Sequence, residues 1–215
     1  MLKPKKVIDA FKKNFPGEKF SYFTSPGRIN LIGEHTDYNG GFVLPAAVDK
    51  GISLAIAPNG TDQVNAYSMD YAEKISFGVA DAQKPSQQWA CYIYGVIQEM
   101  KKRGAAPGGF DCAFGGDVPL GAGMSSSAAL ESVFGYAINS LFHLGFKREE
   151  LAKIGQMTEH NYVGVNCGIM DQFASAMGSC GSAVMLNSGS LLCRNIKIPL
   201  ENTDIVIINS LVKIG

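Results

Sequence analysis

The chain has 215 residues, 46% of them hydrophobic and 10% aromatic, and this is enough to bury a substantial core in one domain or two small ones. Its 19 basic residues balance its 19 acidic residues without a basic block, so nucleic acid is not an expected partner. No apolar run approaches the roughly 20 residues of a spanning helix, and the first residues lack the apolar stretch of a secretion signal. We therefore expect a globular, cytoplasmic protein with no membrane partner.

In the first part of the chain, short strands follow one amphipathic helix. The segment from Lys3 to Phe15 has apolar residues on one face and predicts a helix that ends near Pro16. The apolar run from Phe42 to Ala57 predicts two strands in a hairpin with a break at 49–51. Two further short strands are predicted at 63–68 and 74–77.

The second part of the chain has the clearest helical periodicity. Apolar spacing predicts helices over 89–102 and 148–162, and between them a helix that follows a serine cluster able to cap it. The buried stripe of this middle helix comprises Leu130, Phe134, Ala137, Leu141 and Leu144. Strands are predicted at 109–115, 183–186, 192–198 and 205–208. The pattern indicates the α+β class, with a mostly antiparallel or mixed sheet packed with helices.

A glycine- and serine-rich segment, Gly115 to Ala128, joins a predicted strand to the middle helix. Its glycines allow the backbone to approach a bulky ligand, and the N–H groups of a helix start favour an anion. The segment is not a Walker A loop, because no Lys-Ser or Lys-Thr follows the glycine. It is not G-x-G-x-x-G either, because Ser126 occupies the third glycine position. A flexible connector with a serine cap is the alternative interpretation.

A second glycine-bounded segment, Gly27 to Gly41, is dense in Glu, His, Asp and Asn. These side chains supply the donors and acceptors that a polyhydroxylated ligand needs. His35 and Asp37 could instead bind a metal, but the sequence has no H-E-x-x-H motif or thiolate partner that supports zinc. Ordinary turn chemistry at 37–40 is a further alternative.

A third glycine-bounded segment, Gly164 to Phe173, contains one carboxylate, Asp171. This carboxylate is a candidate general base, and the alternative is the cap of a short helix. Cys167 lacks a histidine in an activating motif and no G-x-S-x-G elbow exists, so nucleophilic catalysis is not indicated.

Taken together, the three segments resemble the N-terminal part of the galactokinases, which belong to the GHMP kinase family. The segment from Gly27 to Pro45 is similar to the galactokinase signature, Pro119 to Ala128 is similar to the phosphate loop of the family, and Cys167 to Phe173 is similar to its third motif. The resemblance implies the GHMP kinase N-terminal domain, a ribosomal protein S5 domain 2-like fold with a mixed sheet packed with helices.

The resemblance also implies transfer of the γ-phosphoryl group of ATP to the C1 hydroxyl of α-D-galactose, with Mg²⁺. Carried over to this sequence, Asp171 and Arg28 are the catalytic residues, with Arg28 beside Asp171, and the magnesium ligands are Ser127 and Glu159. The implied sugar-binding residues are Glu34, His35, Thr36, Asp37 and Gly168. The implied nucleotide-binding residues are Ser68, Gly121, Ala122, Gly123, Met124, Ser125, Ser126 and Ser127.

Members of the family normally continue past the segment that ends at Lys213, with a second domain that packs on the first. The expectation is therefore a truncated chain, with residues 1–215 as the N-terminal domain and activity that depends on the missing part. Two alternatives stay open, a non-catalytic galactose and ATP sensor, and a GHMP kinase for another sugar such as N-acetylgalactosamine. The complete phosphate loop with Asp171 and Arg28 favours an enzyme, and the run from Glu34 to Asp37 favours the plain sugar.

Overall fold

The fold is taken from a computed structural model, which describes residues 1–118, 123–199 and 205–208. The helices and strands follow in the order α1 (Pro4–Asn14), β1 (Ser21–Asn30), β2 (Phe42–Val43), β3 (Pro45–Pro58), β4 (Gln63–Ser68), β5 (Glu73–Gly78), α2 (Gln88–Lys102), β6 (Phe110–Gly116), α3 (Ser126–Leu141), α4 (Arg148–Thr158), α5 (Met170–Met177), β7 (Ser182–Asn187) and β8 (Cys193–Lys197). A 3₁₀ turn at Asp37–Asn39 and a π-helical turn at Glu159–Val163 lie in the connections.

The strands form two sheets. The larger sheet has the strand order β1-β3-β6-β4-β5, with β4 and β6 parallel and the other neighbours antiparallel. The smaller sheet has the order β2-β7-β8 and is antiparallel. The predicted α+β class with a mixed sheet is confirmed.

Helices cover both faces of the larger sheet. On one face, Val7 and Phe11 of α1 share a buried cluster with Ala55 of β3. On the other face, Leu54 of β3 shares the main core with Phe134 of α3 and with residues of α2. Because both faces of β3 are covered, residues 51–56 in its second half are buried without a break instead of alternating between buried and exposed. No helix among the described residues combines the length and the apolar character needed to cross a bilayer.

One long strand, β3, replaces most of the hairpin predicted over Phe42–Ala57, so that prediction was wrong. The supposed break contains Gly51, which lies opposite a register shift between Pro26 and Arg28 of β1. A Cβ atom on Gly51 would lie 2.1 Å from the carbonyl oxygen of Ser25. The glycine therefore permits a close approach of two backbones at a bulge and does not mark a turn.

Strand β1 is not predicted by the sequence, because it contains Pro26 and Gly27, which lower strand propensity. The structure tolerates them because β1 is an edge strand of the larger sheet. The prediction of a strand at 205–208 was wrong, since these residues lie outside the strands of the structure. The other predicted helices and strands are confirmed with shifted ends: α3 ends before Leu144, and the helix predicted to reach residue 162 continues past Thr158 as the π-helical turn.

Candidate functional site

Arg28, near the end of β1, brings the three glycine-bounded segments together. Its Nε donates to Oδ1 of Asp171 at 2.7 Å and its Nη2 donates to Oδ2 at 2.9 Å, a two-bond geometry that suits a guanidinium and a carboxylate. Its Nη1 donates to the carbonyl oxygen of Gly123, and its backbone N–H donates to the carbonyl oxygen of Met124 at 3.1 Å. Arg28 belongs to the segment Gly27 to Gly41. It therefore contacts both the segment Gly115 to Ala128 and the segment Gly164 to Phe173, which contains the candidate base.

Asp171 lies in the first turn of α5 and accepts a further hydrogen bond from the hydroxyl of Ser125 on its Oδ2. Ser125 occupies the N-cap position of α3 in a left-handed conformation and makes no side-chain capping bond. The predicted serine cap was therefore wrong at this residue, whose hydroxyl binds the carboxylate instead. Among the described residues, Oδ2 accepts two hydrogen bonds and Oδ1 accepts one, so the open acceptor position is on Oδ1.

Glu34 and His35 lie on the exposed part of the loop that follows β1. The side chain of Asn30 donates to Oε1 of Glu34 at 2.6 Å, and Nδ1 of His35 lies 2.5 Å from the hydroxyl oxygen of Tyr38. These bonds orient both side chains and leave the other carboxylate oxygen and Nε2 available to a ligand.

Thr36 closes the same loop. Its hydroxyl lies 2.6 Å from the carbonyl oxygen of Gly33 and 2.8 Å from that of Phe42, and it donates to one of them at a time. Its own carbonyl oxygen accepts the N–H of Gly41 at 2.8 Å. That carbonyl oxygen also accepts from the hydroxyl of Ser188 at 3.4 Å, so Thr36 connects its own loop to the residue that follows β7.

Asp37 and Gly168 are in direct contact, although 131 positions separate them in the sequence. A Cβ atom at position 168 would lie 1.8 Å from Oδ2 of Asp37, so any larger residue would displace Asp37 or its own loop. Burial raises the pKa of Asp37, a backbone hydrogen bond from Tyr38 opposes the shift, and the charge of Asp171 adds to it. The two carboxylates are therefore close enough for the charge of Asp171 to disfavour the ionised form of Asp37.

Glu159 begins the π-helical turn after α4 and is only 5% exposed. Burial raises its pKa, a hydrogen bond from Ser127 lowers it, and the charge of Asp171 raises it further. Ser127 is in the first turn of α3 and Glu159 follows α4, and these two helices pack against each other. In residues 1–118, 123–199 and 205–208, no three His, Cys, Asp or Glu side chains are grouped as metal ligands.

A cavity of about 470 Å³ opens beside the first turn of α3. Ser126 and Ser127 line one end, and Asp70, Tyr71 and Trp89 line another part. The rings of Tyr71 and Trp89 are nearly parallel, at 12°, with centroids 6.5 Å apart. Sequence reasoning missed these three residues and placed Trp89 only in a helical stripe, although it is the single tryptophan of the chain.

Among the described residues, four of the predicted nucleotide-binding residues do not line this cavity, namely Ser68, Gly123, Met124 and Ser125. Ser68 ends β4 with no exposed surface and is not among the residues that line the cavity. Gly121 and Ala122 lie outside the described residues.

Comparisons with known proteins show which family the chain resembles. The family described as GHMP kinases N terminal domain matches residues 91–179, and the galactokinase galactose-binding signature matches residues 9–58. The crystal structure of Lactococcus lactis galactokinase complexed with galactose is similar, with a TM-score of 0.87 and 34% identity over 96% of this chain. The mevalonate kinase of Methanococcus jannaschii shares the fold, with a TM-score of 0.68 and 20% identity over 86% of this chain.

The match to these kinases is partial in length. The chain spans 56% of the Lactococcus lactis galactokinase and 58% of the Methanococcus jannaschii mevalonate kinase. The two family matches cover different parts of the chain, and both include residues of the site, Arg28 and Asp37 in one and Ser127, Glu159 and Asp171 in the other. The chain belongs to the GHMP kinase family and carries its N-terminal domain together with the galactokinase galactose-binding signature.

Proposed function

We propose that residues 1–215 are the galactose- and ATP-binding domain of a galactokinase, which phosphorylates α-D-galactose at its C1 hydroxyl. The contacts of Arg28 with Asp171, Gly123 and Met124 carry the proposal, because they place a candidate base beside a candidate phosphate loop. Since the chain spans 56% of a galactokinase, the activity of the whole protein is part of the proposal. The cytoplasmic location stays a prediction from the sequence.

In the proposed reaction, Asp171 accepts the hydrogen bond of the C1 hydroxyl on its open Oδ1 position. The C1 oxygen bonds to the γ-phosphorus of ATP, the bond from that phosphorus to the β–γ bridging oxygen breaks, and ADP leaves. The hydroxyl proton passes to Asp171, and galactose 1-phosphate is the second product. Arg28 keeps the carboxylate oriented and offsets the charge of the phosphoryl group, and such positioning and charge neutralisation supply most of the catalysis in phosphoryl transfer.

The start of α3 is the proposed site of the ATP phosphates. The N-cap side chain does not occupy the first N–H groups of the helix, and such groups together with the helix dipole favour an anion. The adjoining cavity of about 470 Å³ has the aromatic walls that suit the base of the nucleotide. We therefore add Tyr71 and Trp89 to the proposed nucleotide site.

Magnesium fits the residues that lie beside this site. Mg²⁺ takes one or two protein oxygens and completes its shell with water and phosphate oxygens, and Ser127 and Glu159 offer a hydroxyl and a carboxylate. Because Glu159 is buried near the charge of Asp171, a divalent cation there would offset the repulsion. When bound, the ion would neutralise charge on the phosphates.

The experiment that tests the proposed function is an ADP-release assay on the full-length chain. We expect ADP release with galactose to be at least about 100-fold faster than with glucose, N-acetylgalactosamine or mevalonate, since hydroxyl-reading sites discriminate strongly. Galactose 1-phosphate should accumulate in equal amount. Binding of galactose and ATP without turnover would support the sensor alternative, and a preference for N-acetylgalactosamine would support the other kinase alternative.

Replacing Gly168 by Ala tests the proposed sugar pocket. The added methyl group meets Oδ2 of Asp37, so Asp37 or the loop must move. We expect galactose affinity, measured by calorimetry, to fall at least about tenfold, in line with an overpacking cost of about 1–3 kcal/mol. Gly135→Ala in α3 is the control, because its Cβ would lie 3.8 Å from the nearest atom, on Leu151. If Gly168→Ala binds galactose with unchanged affinity, Asp37 is not one of the galactose-binding residues.

A further inference from the structure

Behind the site, a buried carboxyl and a buried amide are joined. Gln172 directly follows Asp171 on α5 and is 1% exposed, and Glu131 on α3 is 2% exposed. Nε2 of Gln172 donates to Oε2 of Glu131 at 3.1 Å. This bond connects the turn that carries Asp171 to the helix whose first turn lies at the proposed phosphate site.

The pair is costly to bury. Oε1 of Glu131 and Oε1 of Gln172 each lack a hydrogen-bond partner among the described residues. Buried polar groups without partners reduce stability, and a pair of apolar side chains of similar size would avoid this cost. Buried polar atoms without a partner are rare in native proteins, so those of Glu131 and Gln172 call for an explanation.

The neighbouring helix leaves the pair little freedom. On α4, a Cβ atom at Gly155 would lie 3.0 Å from Cγ of Gln172 and 3.2 Å from Oε2 of Glu131. The backbone of α4 thus packs directly over the hydrogen bond. Nε2 of Gln172 also lies 3.9 Å from Sγ of Cys167, in the loop that carries Gly168.

We propose that Glu131 and Gln172 are a positioning pair, whose hydrogen bond fixes the first turn of α5 so that the Asp171 carboxylate faces Arg28. Successive side chains on a helix point about 100° apart, so holding Gln172 toward α3 sets the direction of Asp171. The proposal rests on the role proposed above for Asp171. Glu131 and Gln172 act through Asp171 and do not touch the substrates.

Methionine substitutions separate positioning from stability. Glu131→Met and Gln172→Met each leave one buried polar group without its partner, so each should lower Tm by about 2–8 °C. The double variant removes both groups and should regain most of the loss. All three should lower kcat about 10- to 100-fold with KM for galactose within about threefold, because the base is misaligned while the pocket persists.

Two further variants serve as controls. Glu131→Gln keeps an oxygen that accepts from Gln172 and should keep kcat within about threefold of the parent. Glu149→Gln makes the same change at an exposed position on α4 and should change neither kcat nor Tm. A double variant that regains kcat together with Tm would make the pair merely structural and overturn the proposal. Unchanged kcat in the single variants would overturn it as well.

A crystal structure of the double variant gives a readout that needs no activity. We expect a displaced first turn of α5 and the loss of at least one of the two Arg28–Asp171 hydrogen bonds. If both bonds persist as in the parent, the positioning proposal fails. If the full-length protein without substitutions releases no ADP with any sugar, the proposed function fails. The crystal structure of the double variant still decides whether Glu131 and Gln172 position Asp171.

Discussion

Asp171→Asn should lower kcat with galactose by about 10²–10⁴-fold, the range typical of a positioned general base. The amide has nearly the same size as the carboxylate but lacks its negative charge. In the parent protein, Arg28 and Ser125 donate hydrogen bonds to the carboxylate oxygens of Asp171. The NH₂ group of the asparagine cannot accept such a bond, so at least one of these donors loses its partner. Steady-state kinetics give kcat, and calorimetry should show ATP affinity within about threefold of the parent, because Asp171 is not proposed to contact the nucleotide.

Asp111→Asn is the matched control for this change. Asp111 is a half-buried carboxylate on β6 that also accepts hydrogen bonds, from Asn59 at 2.9 Å and Asn65 at 2.8 Å. It lies at the end of β6 remote from Gly116, so its replacement should leave kcat unchanged. Near-normal turnover in Asp171→Asn would exclude Asp171 as the base, and an equal loss in both variants would indicate a general effect on folding.

Local sequence pattern predicted the elements whose burial is one-sided. Helix α1 shows this, because its buried residues, Val7 and Phe11, lie on one face and the helical period is visible in the sequence. Strand β3 was misinterpreted because both its faces are buried, and a strand without alternation offers no period to read. The edge strand β1 was missed because its partner, rather than its own residues, stabilises it.

The candidate site was predictable in its residues and only in part in its contacts. The family resemblance implied that Arg28 lies beside Asp171, as the structure shows, although 143 positions separate them and no sequence spacing relates them. The role of Ser125 was misread because a serine before a helix usually caps it, whereas here its hydroxyl turns to Asp171. Glu131 lies outside the three motifs and Gln172 has no predicted role within the third, so only the packing of α3 against α5 reveals that they meet.

Replacing Glu159 by Gln should raise the Mg²⁺ concentration for half-maximal rate about 10- to 100-fold, because a neutral amide is a poorer ligand for this hard cation. A magnesium titration of ADP release at saturating galactose and ATP measures the change. Glu150→Gln, in the first turn of the helix that leads to Glu159, is the control and should leave the titration unchanged. If Glu159→Gln and the parent protein show the same dependence of ADP release on Mg²⁺ concentration, Glu159 is not a ligand of the ion.

The same variant separates a metal ligand from a structural carboxylate. Glu159 is buried beside the charge of Asp171, so its ionised form is unfavourable until a cation arrives. Without Mg²⁺, the neutral glutamine should therefore keep or raise the free energy of unfolding, by up to about 1 kcal/mol, although it weakens the response to the ion. Denaturant unfolding in a chelator measures this free energy, and a loss of more than about 1 kcal/mol would assign Glu159 a structural role instead.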